Sequence, residues 1–260
     1  MPRFLAFIAL FFIALPAFAQ PAPKAAAKAN LTVLTDEAML LPLARLARQY
    51  AVETKTPLTI VVKNTQDAEE QIEQGLEAHV IISANYPLIS RLTEQGLTDV
   101  SSRRAIARTQ LALVTASDLG KQASIARRIS FASILAATPD WPVIAVDGST
   151  MEGELVDKLL TNHEFSTMLA TRMARRPNHE EVIASLRDEP SLGIILAASA
   201  VVEPDVRVVS LLTNDISAPV TFDAVVLGSE SMADARAFTN YLFTRKAQLT
   251  LSHFGFQPPK

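Results

Sequence analysis

The sequence predicts an α/β protein made of two open units in which helices connect the strands. Short apolar runs alternate with amphipathic stretches along the first hundred residues, as strand 31–34, helix 38–53, strand 58–62, helix 67–77, strand 80–82 and helix 86–95. Strands and helices that alternate at this spacing pair in parallel through helical crossovers. The length allows one large domain or two lobes of about 100 residues each.

Periodicity and punctuating residues place the first elements. The apolar run Leu31–Leu34 predicts a buried strand. The apolar side chains of the first helix share one stripe, made of Met39, Leu43, Leu46, Ala47 and Tyr50. Pro42 falls in the first turn of that helix, where proline is tolerated. Gly96 is expected to end helix 86–95.

The second part of the chain continues the alternation. Apolar runs predict strands at 111–115, 143–146, 192–196, 206–211 and 220–227. Helical pieces are expected within 118–138, and helices at 151–161, 164–175, 179–188 and 231–250. Asn178 is the expected N-cap of helix 179–188. The basic residues Arg172, Arg175 and Arg176 then fall at a helix end, where cations suit the helix dipole.

The N-terminus resembles an export signal. Arg3 precedes the apolar run Phe4–Leu15, and small residues flank a cut after Ala19. Because that run is too short for a hydrocarbon core about 30 Å thick, we expect a cleaved signal peptide at residues 1–19 rather than a membrane anchor. A flexible leader is expected at 20–30. The periplasm of a Gram-negative cell is the expected compartment, with full secretion as the alternative.

Composition excludes several classes of function. The chain has no cysteine, which excludes disulfides, thiolate metal sites, cysteine nucleophiles and a lipid-anchored N-terminus. Its net charge of −3 argues against nucleic acid as a partner, because nucleic-acid-binding proteins present a basic face. The four histidines show no metal-ligand spacing, and no Ser-His-acid arrangement can be argued. We expect no cofactor and no metal, with His79 structural and the other histidines solvated.

Ligands of open α/β sheets bind beyond the carboxyl ends of the strands, next to helix N-termini. The loops at those positions are 35–38, 63–67 and 147–153. Free backbone N–H groups and the helix dipole make such N-termini good oxyanion sites. Further hydrogen bonds could come from the side chains of Thr35, Asn64, Thr65, Gln66, Ser149 and Thr150. Taken singly, each of these residues is better explained as an N-cap or a turn residue.

Acidic residues on the same loops leave the charge of the ligand open. Each of Asp36, Glu37, Asp67 and Glu152, if it faced inward, would oppose an anion by about 3 kcal/mol per unit charge at about 5 Å and an effective dielectric near 20. An oxyanion fits if Asp36 and Asp67 cap their helices and Glu37 faces solvent. If the acids point inward, a cation or an amine-bearing solute is the better ligand. Lys63 could offset one of the acids.

Six segments carry a resemblance to a known family through their order and spacing: LTVLTDEAMLLPLARLARQY, QIEQGLEAHVIISAN, LTEQGLTDVSSRRAIARTQLALVTA, IAVDGSTMEGELVDKLL, SLGIILAASA and FTNYLFTRKAQLTLSHFGF. With them the chain resembles the periplasmic molybdate-binding proteins, which are type II solute-binding proteins of ABC importers. The resemblance implies two lobes, each a mixed sheet flanked by helices, with a ligand cleft between them. Lobe 1 would contain 30–111 and 222–260, and lobe 2 would contain 112–221. It further implies a monomer that delivers its ligand to a permease in the inner membrane, and no enzymatic activity.

The resemblance also suggests binding positions, at which this chain departs from the family. A family serine is replaced by Ala38, a family Pro-Ala-Gly loop by Met151-Glu152-Gly153, and a family tyrosine by Leu196. Thr65, beside Asn64, matches a family hydroxyl, and a backbone amide is expected near Glu180. The candidate ligand-binding residues are Thr35, Asp36, Ala38, Asn64, Thr65, Ser149, Thr150, Glu152, Glu180 and Leu196.

The expected ligand is an oxyanion of the molybdate or tungstate type. One alternative is the same scaffold binding a different small polar or cationic solute. Another is a periplasmic sensor or accessory protein that has no transport role. An enzyme on this architecture, porphobilinogen deaminase, needs a cofactor-bearing cysteine, which this chain lacks.

Overall fold

The computed structural model describes residues 30–63, 65–118, 130–161, 163–213, 216–228 and 232–259. The predicted signal peptide at 1–19 and most of the leader at 20–30 lie outside these ranges, as does the part 119–129 of the segment 118–138 in which helical pieces were expected. Across the described ranges, no helix combines the length and the apolar character needed to cross a membrane.

Two mixed five-stranded sheets form the frame of the molecule. The strands are β1 Leu31–Thr35, β2 Leu58–Val62, β3 Val80–Ser83, β4 Thr98–Thr109, β5 Leu111–Ala116, β6 Val143–Val146, β7 Met173–Arg176, β8 Leu192–Leu196, β9 Val206–Leu211 and β10 Val220–Leu227. The first sheet has the order β2-β1-β3-β10-β4, and the second has the order β7-β6-β8-β5-β9. The chain therefore enters the second sheet at β5 and returns to the first at β10.

Both sheets follow one plan. In the first, β1 pairs in parallel with β2 and β3, while β10 runs antiparallel to β3 and β4. In the second, β6 pairs in parallel with β7 and β8, while β5 runs antiparallel to β8 and β9. The parallel strands of each sheet thus end at one edge, which is where helices begin. The sequence prediction of two α/β units with mixed sheets is confirmed.

Helices flank both sheets. They are α1 Leu40–Thr54, α2 Thr65–Glu73, α3 Tyr86–Glu94, α4 Phe131–Ala137, α5 Met151–Leu160, α6 His163–Leu169, α7 His179–Asp188, α8 Ala197–Val202, α9 Met232–Tyr241 and α10 Arg245–His253. A 3-10 turn at Glu37–Met39 precedes α1. Tyr50 of α1 meets Phe238 and Tyr241 of α9 edge-on, with ring centroids 5.2 and 5.1 Å apart. The C-terminal helices therefore pack against the first sheet, alongside α1.

One buried cluster of apolar side chains is shared by the two sheets. It includes Val33, Val80 and Phe222 from the first sheet and Leu113 and Ile194 from the second, all of them inaccessible to solvent. Burial of a side chain of this size contributes about 1.5–3 kcal/mol. This shared hydrophobic core holds the helix N-termini at the edge of each sheet, where the predicted ligand loops lie.

Several element predictions were wrong, and sheet position explains two of them. β4 was missed because it is an edge strand with polar residues on its open face. The predicted helix 164–175 ends at Leu169, and its last residues form β7. Arg172, Arg175 and Arg176 therefore do not lie at a helix end. Arg175 instead pairs with Asp157, and Arg176 Nε donates to Ser185 Oγ at 2.8 Å.

Two further elements in the second half of the chain differ from the prediction. Helix α8, directly after β8, was not expected. The single helix predicted at 231–250 is two helices, because Thr244 caps a new one by accepting the Ala247 N–H at 3.3 Å. The predicted N-cap Asn178 is confirmed, since its side chain accepts the Glu181 N–H at 2.9 Å. Pro42 lies in the first turn of α1, as predicted.

Candidate functional site

A cavity of about 210 Å³ lies between the edges of the two sheets. The first sheet's side of its wall is formed by Glu37, Ala38, Leu40, Leu41 and Pro42, together with Phe254 and Phe256. The opposite side is formed by Glu152, His179, Glu180, Ala198, Ser199, Val202 and Glu203. A smaller cavity of about 90 Å³ shares Glu37, Ala38 and Glu152 with it and adds Asp36, Lys63 and Thr150 among its lining residues. Together the two form the cleft.

Glu152 points into the cleft, where it is 9% exposed. Its Oε1 accepts the Leu196 N–H at 2.6 Å, and its Oε2 lies 3.9 Å from His179 Nδ1. Burial raises the pKa of Glu152, and nearby Glu37 acts in the same direction, while His179 and the Leu196 N–H oppose the rise. The carboxyl group is thus held in the cleft by a backbone donor of its own lobe.

A tight turn before α5 places Glu152 there. Thr150 caps α5 by accepting the Gly153 N–H at 3.0 Å. A Cβ atom on Gly153 would lie 1.6 Å from the Asp147 carbonyl oxygen, which no side chain could tolerate. The glycine lets the start of α5 fold back onto the turn, and the preceding residue is directed into the cleft.

Asp36 also faces inward and is 7% exposed. Its Oδ2 accepts from the Ser83 hydroxyl at 2.8 Å and from the Ala84 N–H at 2.9 Å, and the Ser83 hydroxyl also lies 3.1 Å from Oδ1. Burial raises its pKa to about 6, against the lowering effect of these hydrogen bonds. Asp36 makes no capping bond to its own helix, so the outward capping role considered for it is wrong.

One hydrogen bond joins the two sides of the cleft directly. Asn85, after β3, donates from Nδ2 to Glu154 Oε2 on α5 at 3.1 Å. The same side chain caps α3 by accepting the Leu88 N–H at 2.9 Å. The cap fixes the orientation of Asn85, so that its amide is presented to the opposite lobe. The two sides of the cleft are therefore in contact in this structure.

The structure brings together some of the candidate residues and not others. Asp36, Ala38, Thr150, Glu152 and Glu180 line the cavities, and Leu196 reaches the cleft through its N–H. Thr35 is 2% exposed and donates its hydroxyl to the Ile82 carbonyl oxygen at 2.8 Å, while Ser149 is exposed and bonds to the Asp147 carboxylate. Thr65 begins α2, and Asn64 lies outside the described residues.

The sequence analysis did not find three polar residues of the cleft wall: His179, Ser199 and Glu203. His179 was expected to be solvated, but its side chain is only 12% exposed. It follows the cap residue Asn178 at the carboxyl end of β7, a position that marks it as a cleft residue once β7 is recognised as a strand. Ser199 and Glu203 belong to, or directly follow, the unpredicted helix α8.

His79, in contrast, is structural as expected. It is almost fully buried, and its Nδ1 accepts the Thr32 N–H at 3.0 Å. Among the described side chains, no three His, Asp or Glu groups are placed to share a metal ion. The described cleft is thus a cavity whose wall is mainly apolar, with a few polar groups.

Residues 31–257 match the family described as bacterial extracellular solute-binding protein. The molybdate-binding protein ModA of Haemophilus influenzae is 24% identical over 234 residues, which are 89% of this chain and 91% of ModA. The substrate-binding domain assigned to a molybdenum ABC transporter of Clostridium difficile superposes with a TM-score of 0.73 at 20% identity, covering 89% of this chain and 99% of that domain.

The periplasmic molybdate-binding protein of Azotobacter vinelandii gives a TM-score of 0.69 at 20% identity, covering 89% of this chain and 100% of the other. At these identities the structural likeness shows the fold, which is the two-lobed fold predicted from the sequence. The family match, by contrast, spans nearly all of the described chain. The chain belongs to the bacterial extracellular solute-binding protein family.

Proposed function

We propose that this protein is the periplasmic binding subunit of an ABC importer, which captures a small polar solute between its lobes and delivers it to the permease. Lobe 1 would comprise 30–111 and 222–260, and lobe 2 would comprise 112–221. The cavity between the two sheets supports this proposal, because it lies beyond the carboxyl ends of parallel strands in both. We expect a monomer without enzymatic activity, which is exported with a signal peptide that is cleaved after Ala19.

Closure of the lobes would couple binding to delivery. A solute held by both lobes favours the closed arrangement, because only that arrangement provides both sets of contacts. The Asn85–Glu154 hydrogen bond belongs to the same arrangement, since its two residues lie on opposite sides of the cleft. The permease would then recognise the closed form.

The size of the solute follows from the cavity. A cavity of about 210 Å³ is smaller than the roughly 300–1,000 Å³ of sites for drug-sized ligands, which favours a small solute. A molybdate-type oxyanion remains the ligand suggested by the names of the relatives. A cationic solute is the alternative, favoured by the inward orientation of Asp36 and Glu152.

The test is a calorimetric titration of the protein recovered from the periplasm of an expression host. Its N-terminus is sequenced first, and Gln20 is the expected first residue. Molybdate, tungstate, sulfate, amino acids, diamines and choline are then titrated in turn. One of them should bind with a stoichiometry of 1:1. At one hundred times its dissociation constant it should stabilise the protein by about 2.7 kcal/mol. The proposal fails if none of these solutes binds.

A further inference from the structure

We propose that the cleft selects an organic cation, an amine-bearing solute with an apolar body, and rejects oxyanions. The inference rests on the proposed solute-binding function, because it concerns the ligand of the same cleft. It is carried by the occupied backbone donors, the charges on the wall, an unpartnered histidine and the apolar lining.

Three backbone donors at the cleft, of the kind that an oxyanion would use, are already engaged by the protein. The Leu196 N–H donates to Glu152 Oε1 at 2.6 Å, and the Ala84 N–H donates to Asp36 Oδ2 at 2.9 Å. At the start of α5, the Gly153 N–H is taken by Thr150 Oγ1. Two carboxylates of the chain therefore occupy positions at which an anionic ligand would bind. An incoming oxyanion would have to displace them and would meet their charge.

The ionisable groups of the larger cavity are mostly acidic. Glu37, Glu152, Glu180 and Glu203 face His179 as the single basic group among the described lining residues. In the smaller cavity Lys63 faces Asp36, Glu37 and Glu152. Even with His179 protonated and Lys63 charged, carboxyl groups outnumber the bases in both cavities. Glu37 and Glu180 are exposed to solvent, so the buried carboxyl groups of Asp36 and Glu152 contribute most to a balance of charge that attracts cations and repels anions.

His179 is an independent sign that the cavity is built for a ligand with hydrogen-bonding groups. Both of its ring nitrogens are sealed from solvent, and neither has a hydrogen-bond partner among the described residues. Nδ1 lies 3.9 Å from Glu152 Oε2, and Nε2 lies 3.9 Å from Glu203 Oε1. These separations are too long for direct hydrogen bonds. An ammonium group has several donors and no acceptor, so it can bridge Glu152 Oε2 and the lone pair of a neutral His179 ring nitrogen.

The rest of the wall defines the body of the solute. It consists mainly of apolar side chains, including Leu40, Leu41, Val202, Phe254 and Phe256. Aromatic ring faces attract cations, and aliphatic walls favour a hydrocarbon body. An amine carried on a short alkyl or aryl body fits both features. A compact, strongly hydrated oxyanion matches neither.

The experiment titrates the whole periplasmic protein with 1,4-diaminobutane, benzylamine, choline and L-lysine, and separately with molybdate and sulfate. We expect 1:1 binding of at least one amine and none of the oxyanions. Glu152→Gln keeps an oxygen that can accept the Leu196 N–H but removes the charge, so it should weaken amine binding at least tenfold. Glu189→Gln, on an exposed residue at the end of α7, should leave binding unchanged.

Glu203→Gln serves as the second variant, because its carboxyl is 30% exposed and the loss of its charge should leave the fold unchanged. It should weaken amine binding several-fold, and circular dichroism checks that both variants are folded. Binding of molybdate or sulfate to the wild-type protein, without binding of any amine, would overturn the inference and leave the proposed function intact. Amine binding that is the same in the wild-type protein, Glu152→Gln and Glu203→Gln would also overturn the inference and leave the proposed function intact. Binding of no solute overturns both.

Discussion

The two cleft loops each bury a carboxyl group, but they hold it differently. Asp36 after β1 accepts two hydrogen bonds at Oδ2, from the Ser83 hydroxyl and the Ala84 N–H, and the same hydroxyl lies 3.1 Å from Oδ1. Glu152 at the start of α5 has a donor for Oε1 only, while its Oε2 faces His179 at 3.9 Å. Among the described residues, two donors of its own side hold Asp36 in place, whereas Glu152 has one such donor and keeps Oε2 beside the unpartnered His179, where a ligand can contact it. We infer that Asp36 is mainly structural and that Glu152 is the binding group.

The loop at Glu152 should be the more fragile of the two. In Gly153→Ala the new methyl group would meet the Asp147 carbonyl oxygen at 1.6 Å, so the start of α5 must move. We expect a loss of about 3 kcal/mol in the free energy of unfolding, at the upper end of overpacking effects, together with loss of solute binding. Urea unfolding and calorimetry measure the two effects.

Gly148→Ala in the same loop is the matched control. Its new methyl group would meet Asp157 Oδ2 at 2.6 Å, the far end of a side chain that can rotate away. The loss should be well under half of that for Gly153→Ala. Equal losses in the two variants would show that the close approach at Gly153 does not position Glu152.

The burial of Asp36 should appear as a pH dependence of stability. Its pKa is raised from 3.8 to about 6, with burial as the main cause and Glu154 acting in the same direction. The folded state therefore holds this proton more tightly than the unfolded state, so the contribution of Asp36 to stability is greatest below pH about 4 and falls as the pH rises to about 6. The full loss is about 3 kcal/mol at 1.36 kcal/mol per pKa unit.

Asp36→Asn should remove this dependence, because the amide does not titrate in that range. Urea unfolding of both proteins between pH 4 and 7 gives the comparison, and the difference isolates Asp36 from Glu152, whose raised pKa has the same sign. Parallel curves for the wild type and the variant would contradict the assignment of a buried, proton-holding Asp36.

The smallest effect is expected at the hydrogen bond that joins the two sides of the cleft. Glu154→Ala removes the hydrogen bond to Asn85 Nδ2 across the cleft and leaves the cap of α3 in place. A single hydrogen bond contributes about 0.5–1.5 kcal/mol, so affinity for the solute should fall about two- to tenfold. Lys158→Ala, exposed on the same helix, is the control. Small-angle scattering should show a more open average shape for Glu154→Ala and no change for the control.

The sequence was sufficient to predict the elements whose pattern is local. The parallel units, the Asn178 cap and the three loops of the cleft follow from apolar spacing and from residues a few positions apart. β4 and β7 were not predicted because their polar side chains conceal strands at sheet edges. The elements that could be predicted are thus those whose own sequence shows a regular spacing of apolar residues.

The orientation of the cleft acids was not predictable, for a different reason. The partners of Asp36 lie 47 and 48 residues further along the chain, and the partner of Glu152 lies 44 residues further. No local pattern encodes a hydrogen bond over that distance, so inward and outward orientations were equally compatible with the sequence. The question of ligand charge depended on that orientation.

The passage from the first sheet to the second has a mechanical consequence. Only Gln110 separates the end of β4 from the start of β5, so the two strands are joined over at most about 7 Å of chain. A joint this short limits sliding between the two sheets, so any opening of the molecule would be mainly a rotation. A glycine-serine tether inserted there would remove this restriction on one side only, because the return passage from β9 to β10 and the shared apolar cluster would still connect the two sheets.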